Sequence, residues 1–208
     1  MKRVNAALLF AFFLMAGSTC YSRTIDPNYA IGTWQGFRTA AISYTFDDGC
    51  PKQYTVAIPM FNTYGFKLTM YTVTTPSWYM PTHWDQLQTA ATAGHEIGSH
   101  TVTHPTLNAS NEVAELSNSK TTINTNITPQ QCFTVAYPYC VESTESVIAT
   151  YYIAGRICSG SIVPATPSNF YQISSFALGS SGTNTTAGIN AIANNAASIG
   201  GWAVYLLH

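Results

Sequence analysis

The residues able to do chemistry fall in four places in the sequence: Asp47-Asp48-Gly49, His100 to His104, Tyr137 to Cys140, and His208. Two imidazoles at HxxxH spacing and one carboxylate make a three-ligand set for a divalent cation that leaves positions open to water. A cation held that way activates water near neutral pH and polarises a carbonyl. Pro105 disfavours helix at His104, so the two histidines belong on a turn. Side chains at i and i+1 of an extended segment point apart, so Asp47 and Asp48 are expected to divide the work. One binds the cation and the other accepts a proton. The plainer alternatives are an Asp-Asp-Gly turn with Gly49 at positive φ, and histidines that only hydrogen-bond within their loops. Carboxylates are scarce: the chain has nine acidic residues, none of them after Glu145.

These groups need elements to position them. Residues 40–45 (AAISYT) read as a buried strand that ends at the Asp pair. A helix fits 52–64, with Pro59 kinking or shortening it and Gly65 ending it. Strands follow at 67–74 and 96–99, with a helix at 84–93 between them and Gly94 as its stop. A helix at 111–124, a strand at 132–137, a helix at 143–152 opening on a Ser-X-X-Ser cap, and a strand at 153–158 come next. The remainder is a strand at 171–178, a helix at 187–198 and a final buried strand at 202–207. Seven strands alternating with helices predict a parallel sheet, closed or nearly closed into a distorted (β/α) barrel; a doubly wound open sheet is the alternative. Asp47-Asp48, His100 to His104, Tyr139 and His208 then all sit beyond the carboxyl ends of different strands. In a parallel barrel those ends share the face that holds the active site.

Composition narrows the partners. The 208 residues are 46% hydrophobic and 13% aromatic but only 8% charged, which excludes disorder over most of the chain. Lys2 and Arg3 precede an apolar run at 6–17 followed by small residues, so residues 1–22 read as a signal peptide, 23–37 as a lead-in and 38–208 as one domain. That run is short of the ~20 residues that span a bilayer. The expected location is therefore outside the cell, with a periplasmic or cell-surface site also compatible and no membrane span. Without the leader, six basic residues face nine acidic ones, which leaves no basic stripe for nucleic acid. Cys50, Cys132, Cys140 and Cys158 remain and allow three pairings in an oxidising compartment. The strand map puts Cys140 and Cys158 on adjacent strand ends.

The motifs resemble those of the polysaccharide deacetylases, the NodB-homology domain of carbohydrate esterases, over residues 38–208. Thr45-Phe46-Asp47-Asp48-Gly49 is similar to the first motif and Ser99-His100-Thr101-Val102-Thr103-His104-Pro105 to the second. Tyr137-Pro138-Tyr139-Cys140 is similar to the third and Leu206-Leu207-His208 to the last. The resemblance implies a distorted (β/α) barrel that hydrolyses N- or O-acetyl groups on chitin-, xylan- or peptidoglycan-type sugars through a metal-activated water. It makes Asp47 the general base. Asp48, His100 and His104 become the ligands of a divalent ion, most often Zn2+, with Co2+ or Mn2+ as alternatives. The Tyr139 N–H becomes an oxyanion donor, and His208 the acid that protonates the leaving group. Tyr137, Pro138 and the loop residue Trp78 are expected to contact sugar.

The chain departs from that pattern twice. The third motif usually carries an arginine that pairs with the catalytic Asp, whereas Ala136 or Tyr137 stands there. Arg156, the only basic residue after Lys120, is expected to reach back to Asp47 instead. The fourth motif usually offers an Asp to the acid histidine, and none exists beyond Glu145, so His208 must be tuned otherwise. His208 is also the last residue, where relatives normally continue, which reads as a truncated record or an unusual terminus. A carbohydrate-binding homologue without turnover is the main competing reading. A glycoside hydrolase needs two carboxyl groups ~5–9.5 Å apart across the bond, which sequence neighbours do not readily provide. Iron and oxygen chemistry on the 2-His-1-carboxylate set is a further alternative.

Overall fold

The computed structural model describes residues 32–208. The expected signal peptide and the first part of the lead-in lie outside them. Seven strands form one sheet: β1 (Ala41–Phe46), β2 (Thr69–Thr72), β3 (Glu96–Ser99), β4 (Thr134–Ala136), β5 (Ala154–Arg156), β6 (Phe176–Ala177) and β7 (Trp202–Leu207). The spatial order is β5-β4-β3-β2-β1-β7-β6, and every pairing is parallel. Helices α1 (Ile58–Thr63), α2 (Trp84–Thr92), α3 (Glu112–Asn126), α4 (Glu145–Tyr151) and α5 (Thr186–Ile199) supply the crossovers. The longest pairing is β1 with β7, six residues in register from Ala41 against Trp202 to Phe46 against Leu207. The sheet curls into an incomplete, distorted (β/α) barrel rather than staying open.

Alternation along the strands assigns the two faces. Ser43, Thr45, Thr69, Tyr71, Glu96, Thr134 and Arg156 line a small internal cavity. Their neighbours Tyr44, Phe46, Met70, Ile97 and Val135 point the other way, into the helix layer. Leu87, Leu116, Ile123 and Ile148 bring the apolar stripes of α2, α3 and α4 to that layer. The barrel interior is thus polar: Glu96 accepts from Thr69 Oγ1 at 2.7 Å and from Thr134 Oγ1 at 2.6 Å.

Three expected elements differ in form. The 52–64 helix opens with wide π turns over Gln53–Ala57 before α1. Widening the turn is one way to seat Pro59, which has no N–H and whose ring crowds the preceding carbonyls. The strand expected at 171–178 divides: Phe170–Gln172 is a 3-10 turn, and only Phe176–Ala177 pairs with β7. Between them, the Ile173 N–H donates to Gly155 O and its carbonyl accepts from Ile157 N–H, both at 2.9 Å. One segment therefore passes from the β5 edge to the β7 edge and ties the two ends of the curl together. Finally, α4 takes no cap from Ser143. Instead the Glu112 carboxylate accepts from the Thr144 N–H at 2.8 Å and the Ser143 hydroxyl at 2.7 Å. Burial pushes the Glu112 carboxyl up, but these bonds outweigh it and hold it below the usual range.

Candidate active site

The carboxyl ends of β1, β3, β4 and β7 bring Asp47, Asp48, His100, His104, Tyr137, Tyr139 and His208 to one cleft of about 400 Å³. Asp47 leaves β1 with its N–H on Leu207 O at 2.9 Å, and His100 leaves β3 with its N–H on Thr72 O at 2.9 Å. The chain then turns sharply at both places. Asp48 has φ 71° and is followed by Gly49 at φ 72°, while Thr101 and His104 have φ 68° and 58°. Tyr139 and Cys140 add φ 55° and 61°. Five of the six non-glycine residues with positive φ among those described therefore lie on this rim. Each such conformation costs on the order of 1–2 kcal/mol, so the surrounding contacts must impose it. At Gly49 the Met80 side chain packs where a Cβ would stand, which leaves room for glycine alone.

The turn at Asp48 separates the two carboxylates. Asp47 is 3% exposed and its Oδ2 takes the Arg156 guanidinium through Nη2. Arg156 is itself 2% exposed. Its Nη1 donates to Ser175 Oγ at 3.0 Å, and its guanidinium lies 5.5 Å from the centroid of the Tyr71 ring. The Gln53 amide donates to the Asp47 carbonyl. Asp47 Oδ1 is buried without a hydrogen-bond partner among the described residues. Arg156 thus occupies the place for which the third motif has no side chain. It does so from the end of β5.

Asp48 faces the histidines. Its Oδ1 lies 3.5 Å from His100 Nε2 and 3.5 Å from His104 Nε2. The two Nε2 atoms are 3.1 Å apart. His100 Nδ1 is 2.7 Å from Ala136 O, a bond only an N–H can make, so Nε2 keeps its lone pair. Burial pulls His100 below the ordinary imidazole value, against the opposing charge of Asp47, which favours that neutral form. Asp48 Oδ1 is buried and has no hydrogen-bond donor among the described residues. An orphaned carboxylate oxygen and converging imidazole nitrogens, all within 4.8 Å of one another, are the donor set that a divalent cation satisfies. The residues present fit such an ion.

The histidine turn has a support that the sequence did not reveal. Glu115 of α3 accepts from the N–H groups of Val102 at 2.7 Å and Thr103 at 2.9 Å, and from Thr103 Oγ1 at 2.6 Å. Nothing in its spacing marks it, because it reaches the turn across the fold rather than along the chain. Ser175, which supports Arg156 from 19 residues away, is equally invisible to spacing, whereas Gln53 lies only six residues from Asp47 and bonds it through a side chain that no motif marks.

The expected sugar contacts divide. Trp78 lies beside His104, ring centroids 5.4 Å apart, and the Tyr139 ring is 4.8 Å from that of His104. Tyr139 is 65% exposed, and its N–H has no acceptor among the described residues. Tyr137 and Pro138, by contrast, are buried. The Tyr137 hydroxyl donates to Tyr171 O at 3.0 Å and its ring packs over Gly155, so its side chain belongs to the interior. His208 stands at the open side with Nε2 3.9 Å from Asp48 Oδ2. Cys140 and Cys158 form a close pair, Cα atoms 5.6 Å apart, whereas Cys50 and Cys132 have no such partner among the described residues.

A family model described as "Polysaccharide deacetylase" matches residues 36–152. A Bacillus protein named gellan lyase is 33% identical over 152 residues, which are 71% of this chain and 6% of that protein. The Streptococcus pyogenes deacetylase PplD in complex with acetate superposes with a TM-score of 0.56 at 24% identity, over 62% of this chain and 61% of that one. The Xyl-CE4 domain of a multidomain xylanase from the hindgut metagenome of Trinervitermes trinervoides gives 0.53 at 16% identity, over 81% and 74%. At these identities the structural likeness establishes the barrel architecture. The chain spans a small fraction of the gellan lyase and about three fifths of the streptococcal protein.

Proposed function

The chain belongs to the polysaccharide deacetylase family, and from that premise we propose that it is a secreted, metal-dependent hydrolase that removes acetyl groups from a polysaccharide. The observation that carries the reading is the pairing of two distinct carboxylates at one cleft. Asp48 lies with His100 and His104, and Asp47 with Arg156. A divalent ion held by the first set, Zn2+ in the leading assignment, supplies the Lewis acidity that activates water and polarises an acetyl carbonyl.

The chain's own residues do the rest. Arg156 holds Asp47 through Oδ2, the oxygen that lies 3.9 Å from His100 Nε2, and the Asp47 carboxylate so placed accepts a proton from the attacking water. The unpaired Tyr139 N–H donates to the carbonyl oxygen as negative charge develops on it, a contribution worth ~3–4 kcal/mol when the donor is held in place. His208, at the open side, gives its proton to the departing amine or alkoxide. Trp78 and Tyr139 both place aromatic surface next to His104, which suits the apolar faces of sugar rings. The names of the relatives, a gellan lyase and a xylanase domain, support a polymer over a small acetylated molecule. The leader-like residues and the Cys140–Cys158 pair, read as a disulfide, support an oxidising extracellular location.

The test is acetate release from partly acetylated chitooligosaccharide and from acetylated xylan, first with chelated protein and then with zinc or cobalt restored. Release that returns with the metal is expected, and the preferred polymer names the substrate class. A folded, metal-loaded chain that binds either polymer without releasing acetate would refute the hydrolase and select a carbohydrate-binding role.

A further inference from the structure

The turn that presents the Tyr139 N–H is anchored before its tip, where the Tyr137 N–H reaches Arg156 O at 3.2 Å, and more lightly at the tip itself, where the Tyr139 ring rests on His104. Tyr139 and Cys140 are consecutive left-handed residues, neither of them glycine. The turn's own backbone bonds are Cys140 N–H to Tyr137 O at 3.1 Å and Val141 N–H to Pro138 O at 3.2 Å. Tyr139 and Cys140 are both exposed. The other cysteine of the pair is better anchored. Ile157, beside Cys158, donates to Ile173 O at 2.9 Å and accepts from Ser175 Oγ at 2.7 Å, and Gly160 N–H reaches Ser175 O at 3.0 Å. Two residues before Cys158 stands Arg156, on Asp47. The two sulfurs join the lightly held tip to the rigid segment, and both cysteines line the cleft.

We propose that a Cys140–Cys158 crosslink is a positioning device for the reaction: it fixes the Tyr139 N–H in its donor pose, so turnover depends on the oxidised pair. The inference rests on the deacetylase reading for its kinetic consequence, but not for its structural one. Forming the bond takes two protons and two electrons from the two thiols, and an external disulfide accepts them and leaves as two thiols. Dithiothreitol reverses the step, its own thiols closing into a ring disulfide while Cys140 and Cys158 return to thiols. Cys140 is exposed, so the reductant reaches it.

The experiment compares oxidised protein, protein reduced with dithiothreitol and then freed of it, reoxidised protein, and Cys158→Ser. Each is measured for kcat and KM of acetate release, zinc content, far-ultraviolet circular dichroism and peptide-resolved amide exchange. Reduction is expected to speed exchange in the peptide covering residues 137–141 and to lower kcat by about tenfold or more, since loss of a preorganised donor costs ~10²–10³ in rate. KM and zinc content stay as they were, and reoxidation restores kcat. Undiminished kcat and unchanged exchange in the reduced protein would overturn the proposal. So would a loss of activity that comes only with faster exchange throughout the barrel, since that marks a structural staple. If oxidised protein releases no acetate while exchange at 137–141 still rises on reduction, the clamp stands and the deacetylase reading falls.

Discussion

Arg156→Met is the substitution on which the account of the catalytic carboxylate depends most. Arg156 and Asp47 are almost wholly buried, so solvent does not screen their attraction, and neither group has water to fall back on. Methionine keeps much of the side chain's volume and removes the charge. That leaves Asp47 as a buried, uncompensated carboxylate, a defect that costs about 3–5 kcal/mol. For a chain of this size each kcal/mol moves the melting temperature by ~2–4 °C, so a fall of roughly 6–20 °C is expected. The second half of the cycle separates pairing from packing. Adding Asp47→Asn removes the orphaned charge, so the double variant should be more stable than Arg156→Met alone, by about 2 kcal/mol if half the penalty is electrostatic. Chemical denaturation followed by circular dichroism and tryptophan fluorescence reads both quantities, with acetate release measured alongside. Activity should be lost in both variants, and zinc content should persist because Asp48, His100 and His104 are untouched. An Arg156→Met protein that melts within a degree or two of the parent, or that turns over at the parental rate, would show that Arg156 does not position Asp47.

Metal removal should lower the melting temperature and zinc should restore it, by ~2.7 kcal/mol at one hundred times the dissociation constant; Asp48→Asn should abolish the response, as read by a thermal-shift titration. Glu115→Gln should weaken zinc binding by about 10–100-fold while leaving the fold in place, because its carboxylate holds the turn between His100 and His104; competition with a chromophoric chelator measures it. His95 should make stability depend on pH. Its Nδ1 accepts from the Leu68 N–H at 3.2 Å and its Nε2 sits 3.1 Å from Asn62 Oδ1, so the folded protein uses the neutral ring. Burial, then the charge of Lys67, pulls it below its ordinary value of 6.5. The unfolded chain then binds the extra proton first, so this contribution is intact above pH ~6.5 and is lost as pH falls below it. Urea denaturation of zinc-loaded protein at pH 7.5 and 5.5 should show the loss, and His95→Asn should reduce it. A parent whose stability is the same at both values would contradict the assignment.

The strand ends were legible because period-2 alternation and local punctuation determine them. Residues 96–99 and 202–207 were read with the observed bounds, and the Asp pair, the two histidines and His208 fell at strand tips as a consequence. Other strands came out shorter for reasons that lie outside their own sequence. The strand at 132–137 loses its start because the Cys132 N–H is taken by Asn124 Oδ1 at 2.7 Å. The segment 171–178 loses its continuity because it serves both edges of the curl. Tyr137 lines the cleft, as its motif implies, but its ring also packs over Gly155, a contact between strands that no local pattern records.

The backbone strain was the least legible feature, and it accounts for why the site is arranged as it is. Thr101, Tyr139 and Cys140 are residue types that a turn rule would not place at positive φ, while Asp48 and His104 are types that tolerate it. Each sits there because a side chain with chemistry to perform, or one held against such a side chain, occupies the position. The local preference of the backbone is overruled by side chains: Glu115 from α3 and Thr101 Oγ1 within the histidine turn, and Cys158 beside the Tyr139 turn. Relieving the strain at Asp48 would turn its carboxylate away from the two imidazoles and remove the donor set. The positions where sequence rules fail are therefore the positions where the fold spends stability on geometry, and they trace the cleft.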